Sequence, residues 1–141
     1  MSQPIVLQSS PYTDKIIGFA GPTPLEITLD DSGKISDIKL LKNKDTPDYV
    51  QIAIDGGLLN AWNGLTPKEA LAKQVDAVSG ATFSSRGIIQ TVQKRLEVYE
   101  AQRSSATTSQ VLIGIGLFVL ITVGYFFMRN RSKRRMQQTK V

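Results

Sequence analysis

The sequence predicts an α+β fold: a small antiparallel sheet packed by helices, followed by one C-terminal transmembrane helix. Three observations predict it. Leu25–Leu29 alternates apolar and polar residues, the period of a half-buried strand. Thr46-Pro47 and Thr66-Pro67-Lys68-Glu69 are helix-start signals. From Ser104 to Met128 the chain carries no charge.

Residues 1–24 read as mostly irregular, punctuated by Gly18, Gly21, Pro22 and Pro24. In the first strand Leu25, Ile27 and Leu29 face one way and Glu26 and Thr28 the other. Asp30-Asp31-Ser32-Gly33 is a turn signal, and Lys34–Leu41 returns as a second strand, making a hairpin. Thr46 as cap and Pro47 at the first helical position open a helix through about Ile54, ended by Gly56-Gly57. Leu58–Trp62 reads as another helical turn. Thr66 with Glu69 three positions on forms a capping box for a short helix, Pro67–Lys73. Val75–Val78 reads as a strand. Ser84 or Ser85 is then the cap of a longer helix, whose Ile88, Val92, Leu96 and Tyr99 share one face.

The C-terminal run Val111–Met128 is apolar throughout and spans roughly 27 Å at about 1.5 Å per residue, enough for the hydrocarbon core. Arg129, Arg131, Lys133, Arg134, Arg135 and Lys140 follow it without an acidic residue, so the net charge of +5 belongs to this tail. Basic residues beside an apolar run fit a membrane surface; nucleic-acid binding would want them across a folded face. The positive-inside tendency places the tail in the cytoplasm and the domain outside. The expected division is thus an N-terminal segment 1–17, a domain 18–103, a linker 104–110, a transmembrane helix 111–128 and a basic cytoplasmic tail 129–141. Residues 1–15 contain no stretch resembling a signal peptide. Export by the span itself, a start further upstream and a reversed orientation all remain open.

Of 141 residues none is cysteine or histidine. That excludes thiolate nucleophiles, disulfides, a histidine-based triad and protein-thiolate iron–sulfur ligation within this sequence. Redox chemistry here requires a bound organic cofactor. No catalytic acid–base set and no metal-ligand set stands out.

The run Asp76–Ser85, DAVSGATFSS, is the most informative one. It puts a glycine turn and a threonine hydroxyl at the start of a helix, where exposed N–H groups and the positive end of the dipole hold phosphate. Gly80 permits a sharp turn and close approach, Ala81 keeps it uncrowded, and Ser79, Ser84 and Ser85 can donate hydrogen bonds to phosphate oxygens. The Thr82 hydroxyl can be esterified there. The plainer alternative is a serine-capped helix start.

The run resembles the flavinylation pattern D-x-x-[ST]-G-A-T of the FMN-binding domain family. That family is found in flavin subunits of the sodium-pumping NADH:quinone reductase, in Rnf complexes and in NosR-like proteins. GFAGPTPLEITLDDSGKI from Gly18, KDTPDYV from Lys44 and GLLNAWNG from Gly57 extend the resemblance over Gly18–Val98. One departure is Asp45-Thr46-Pro47-Asp48, where larger flavin subunits read ETPG. The resemblance implies FMN joined covalently through its phosphate to Thr82, and Asp76 as part of the signal read by an ApbE-type FMN transferase. Trp62, Leu58, Leu59 and Phe83 are candidates to stack on the ring, and Thr46 to bond the ring or ribityl chain. Trp62 also reads as a core residue and Thr46 as a helix cap; Phe19 and Tyr49 read as core residues, and Lys39, Lys42 and Lys44 as a solvated strand face.

The expected function is a membrane-anchored electron-transfer flavoprotein of the bacterial cytoplasmic membrane, one component of a membrane redox complex and not a complete enzyme. A non-redox assembly or regulatory subunit retaining the fold is the alternative.

Overall fold

A computed structural model describes residues 3–135, with side chains left undescribed at 108–111, 114 and 130–135. Residues 136–141 of the expected basic tail lie outside the described residues. Two compact units divide between Ala101 and Gln102.

The first unit holds a three-stranded antiparallel sheet in the order β1 (Ile5–Gln8), β2 (Leu25–Leu29), β3 (Ile35–Leu40). The central β2 is the strand whose alternation is cleanest, and Leu25, Ile27 and Leu29 are fully buried. Its register sets Ile27 opposite both Leu7 of β1 and Ile38 of β3, so one face of the sheet is apolar across all three strands. The β2–β3 turn is held by Asp30 Oδ1, which accepts from the Ser32 and Lys34 amides at 2.9 and 3.0 Å. Gly33 supplies the positive φ of 76° that closes it.

Strand β1 falls within the segment that the sequence suggests is irregular. It is short and at the sheet edge, and only Leu7 is buried, so it carries no alternation to read. It is secured by its neighbours: Ser9 continues the pairing with Leu25 through backbone and side chain, and Arg95 Nε donates to the Gln8 carbonyl at 2.7 Å.

Helix α1 (Pro47–Asp55), a 3-10 turn (Leu58–Asn60) and helix α2 (Pro67–Ala72) follow as the cap signals predict. The α2 capping box is complete: Glu69 N–H donates to Thr66 Oγ1 and the Thr66 amide donates to Glu69 Oε2. Val75–Val78 is not a strand. It runs without regular structure and lies outside the sheet, with no neighbouring strand to pair with.

Helix α3 (Thr82–Arg135) starts earlier than its serines suggest. Ile88, Val92 and Leu96, spaced four apart, are fully buried and share one core cluster with the sheet and Trp62.

The expected C-terminal membrane span is overturned: among the described residues no helix is long and apolar enough to cross a membrane. The apolar run is not an element of its own but part of α3, and the expected linker 104–110 is helical as well.

Candidate functional site

The first turn of α3 is built by the residues just before it. Gly80 has φ of 84°, a value that a side chain would strain, and this reverses the chain. The Ala81 amide bonds the Val78 carbonyl at 3.1 Å, and the Ser85 amide makes the first intrahelical bond, 2.8 Å to the Ala81 carbonyl. The amides of Thr82, Phe83 and Ser84 precede any carbonyl they could pair with inside the helix. No acid stands in this turn. An exposed Thr82 hydroxyl therefore sits on the positive end of a long helix. Gly56 lets the end of α1 press against the incoming chain, since a Cβ there would lie 2.6 Å from Val78 Cγ1.

Beside this turn is a cavity of about 280 Å³ lined by Phe19, Tyr49, Gly80, Ala81, Thr82, Phe83 and Ser84. Its walls come from three separate parts of the chain. Phe19 meets Tyr49 edge-on with ring centres 4.9 Å apart, and lies 6.2 Å from Phe83. Phe19 and Phe83 are 53% and 63% exposed, and neighbouring Ile52 is 40% exposed. Large apolar rings left in water around a hydroxyl form a surface suited to a flat apolar ligand.

Behind the wall lies Asp45, 4% exposed. Its carboxylate accepts from the amides of Ala20 at 2.6 Å, Thr46 at 2.9 Å and Phe19 at 3.2 Å. Burial pushes its pKa up, but the amides of Ala20, Thr46 and Phe19, with Ser84 Oγ close by, outweigh that and hold it below the ordinary value of 3.8. Ser84 Oγ is itself fully buried and, for all its nearness to Asp45, has no hydrogen-bond partner among the described residues.

Of the residues singled out in the sequence, Thr82, Gly80, Ala81 and Ser84 come together on the cavity wall, with Phe83. Ser79 is exposed one residue before the turn glycine, and Asp76 is exposed further upstream. Ser85 is buried, and its Oγ accepts from the Val78 amide at 3.1 Å, so it ties the turn down instead of facing a ligand. Thr46 stands at the α1 cap position without a side-chain cap bond, next to Asp45. Trp62 is 1% exposed in the core with Leu58, and Leu59 packs against that core; none of the three lines the cavity. Phe19, Tyr49 and Asp45 were not evident as site residues. The available signal was Gly18-Phe19-Ala20-Gly21, an aromatic flanked by glycines, which suits a turn tip better than a core.

A second cavity of about 330 Å³ is lined by Ser10, Thr13, Asp14, Pro22, Pro24, Lys42, Asn43 and Lys44. It has no aromatic wall, and Ser10 Oγ is already committed to Asp14 at 2.6 Å.

Residues 18–97 match the family model of the FMN-binding domain. The chain belongs to the FMN-binding domain family. It is 29% identical over 116 residues to a component of the ion-translocating oxidoreductase complex of Stutzerimonas stutzeri. That alignment covers 74% of this chain and 50% of the relative, so the chain spans about half the relative's length. No solved structure matches.

The cavity fits both ends of an FMN. The free first-turn amides suit phosphate oxygens, and the exposed aromatic wall suits the faces of an isoalloxazine.

Proposed function

We propose that this chain is an electron-transfer subunit of a membrane redox complex, carrying FMN in a phosphoester linkage to Thr82. Bound there, FMN supplies the reversible electron transfer that a chain without cysteine or histidine does not provide. Thr82 Oγ is the tether. The amides of Thr82, Phe83 and Ser84 hold the phosphate, and Phe19, Tyr49 and Phe83 cover the ring. The exposed Asp76 belongs to the surface read by an ApbE-type FMN transferase. The partners are components of the kind of assembly for which the relative is named, an ion-translocating oxidoreductase complex.

One observation carries this reading: an exposed threonine at the first position of a helix, on the same cavity wall as three aromatic rings. Covalent attachment suits a carrier whose exposed cleft would otherwise release its nucleotide.

Co-expression of the full chain with an FMN transferase, followed by intact mass measurement, tests it. The expected result is a gain equal to FMN less one water, absent in Thr82→Ala, with yellow fluorescence that survives denaturing electrophoresis. An unmodified mass in the presence of active transferase overturns the proposal. Flavin that is retained until denaturation and then released overturns the linkage alone.

A further inference from the structure

We infer that Asp45 is the positioning residue for the aromatic wall: its carboxylate clamps the Gly18–Gly21 turn so that the Phe19 ring faces whatever is held beside Thr82. The inference rests on the flavin reading of the cleft and assigns a role to a residue outside the attachment motif.

The turn closes on itself first. The Gly18 amide donates to the Gly21 carbonyl at 2.9 Å, and Ile17 bridges Pro22. The two tip amides, Phe19 and Ala20, are left without a carbonyl partner in that turn, and both donate to Asp45. The carboxylate takes the Thr46 amide as well, so one side chain joins the turn to the start of α1. Side chains are excluded where these parts meet. A Cβ on Gly18 would run into Asp45 Oδ2, and a Cβ on Gly87 of α3 would lie 2.7 Å from Gly18 Cα. The turn is therefore gripped between Asp45 and the helix that carries Thr82.

This matters because Phe19 is not held by burial. Its ring is 53% exposed and touches Tyr49 edge-on. An exposed ring keeps one orientation only if its backbone is fixed, and charge-assisted hydrogen bonds to two consecutive amides fix it. An asparagine would offer one acceptor oxygen and turn an N–H₂ group toward donors, so the isosteric change breaks the clamp without changing volume.

The test uses the full chain loaded by co-expression with the transferase, as wild type, Asp45→Asn, Phe19→Ala and the double variant. Intact mass reads attachment, and iodide quenching of flavin fluorescence reads cover of the ring. Attachment is expected in all four. Quenching is expected to rise about twofold in each single variant, as one wall of the ring is lost. The double variant is expected to match Phe19→Ala alone, because Asp45 acts through Phe19. Wild-type quenching in Asp45→Asn, or additive effects in the double variant, overturns the inference.

Amide hydrogen exchange in the flavin-free chain gives a readout independent of the cofactor. Phe19 and Ala20 are expected to exchange about tenfold faster in Asp45→Asn. Equal rates, or unprotected amides in the wild type, overturn the clamp. Should Asp45→Asn not fold, Gly18→Ala presses a methyl on the same carboxylate and is expected to raise exchange at the same two amides; no change there overturns it too. A wild type that gains no flavin mass refutes the cofactor reading separately, and the exchange rates still decide the clamp.

Discussion

Gly87→Ala puts two known effects against each other. In a helix interior alanine is favoured over glycine by about 0.8–1.0 kcal/mol, so a helix considered alone gains from the change. Gly87 does not stand alone. A Cβ there would lie 2.7 Å from Gly18 Cα, 2.9 Å from Gly18 N and 3.4 Å from the Ile17 carbonyl carbon. These are backbone atoms of a turn already held on its far side by Asp45, so no flexible side chain can give way. Overpacking of this kind costs about 1–3 kcal/mol. The clash exceeds the propensity gain over most of that range, and the expected net loss is about 1 kcal/mol, or a fall in Tm of about 5 °C for a domain of this size.

Thermal unfolding of the full chain followed by circular dichroism reads this shift. Gly116→Ala is the control: that position also lies in α3, and a Cβ there meets nothing within 4 Å. No fall in Tm is expected from it. A Gly87→Ala variant more stable than wild type would refute the close approach of α3 to the Gly18–Gly21 turn, and with it the grip on Phe19.

Thr82→Ser keeps a hydroxyl at the helix start and is expected to retain covalent flavin by intact mass; because the position is exposed, its stability should stay within about 0.5 kcal/mol of wild type. Trp62→Ala is expected to cost about 3–5 kcal/mol in urea unfolding, yet to leave the flavinylated fraction of folded protein unchanged, since Trp62 is core and not cleft. Asp45 predicts an acid limb. Burial raises its pKa, the hydrogen bonds outweigh burial, and the folded value lies below the ordinary 3.8. Its stabilisation is thus present above the unfolded pKa and lost as pH falls through the folded value. Unfolding midpoints measured from pH 6 downward should fall less steeply below about pH 4 in Asp45→Asn than in wild type.

What the sequence makes legible is local. Strand β2 shows in the alternation of Leu25, Ile27 and Leu29 because a central strand with one buried face must alternate. The start of α2 shows because a capping box is written in residues three apart. The buried face of α3 shows in Ile88, Val92 and Leu96 for the same reason of spacing. What fails is whatever depends on a distant partner. Val75–Val78 reads as a strand, but a strand needs a neighbour and the sheet offers none there. Strand β1 has a neighbour and no alternation, because its other residues face water at the edge. An apolar run reads as a span by composition, while the element that contains it is fixed by where α3 begins and ends.

The candidate site divides along the same line. Thr82 and the turn before it are legible because the anion-holding end of a helix is built from consecutive residues. The ring wall is not, since Phe19, Tyr49 and Phe83 meet only after Asp45 and Gly87 have fixed one turn against one helix. An aromatic count cannot separate Trp62 from Phe19. One is 1% exposed and the other 53%, and that difference is made by packing alone. The proposed tether is therefore a property of the motif, whereas the environment proposed for the ring, which would tune its electronics, is a property of the fold. Changes at Thr82 should act on whether flavin is attached, and changes at Asp45 or Phe19 on how the attached flavin behaves.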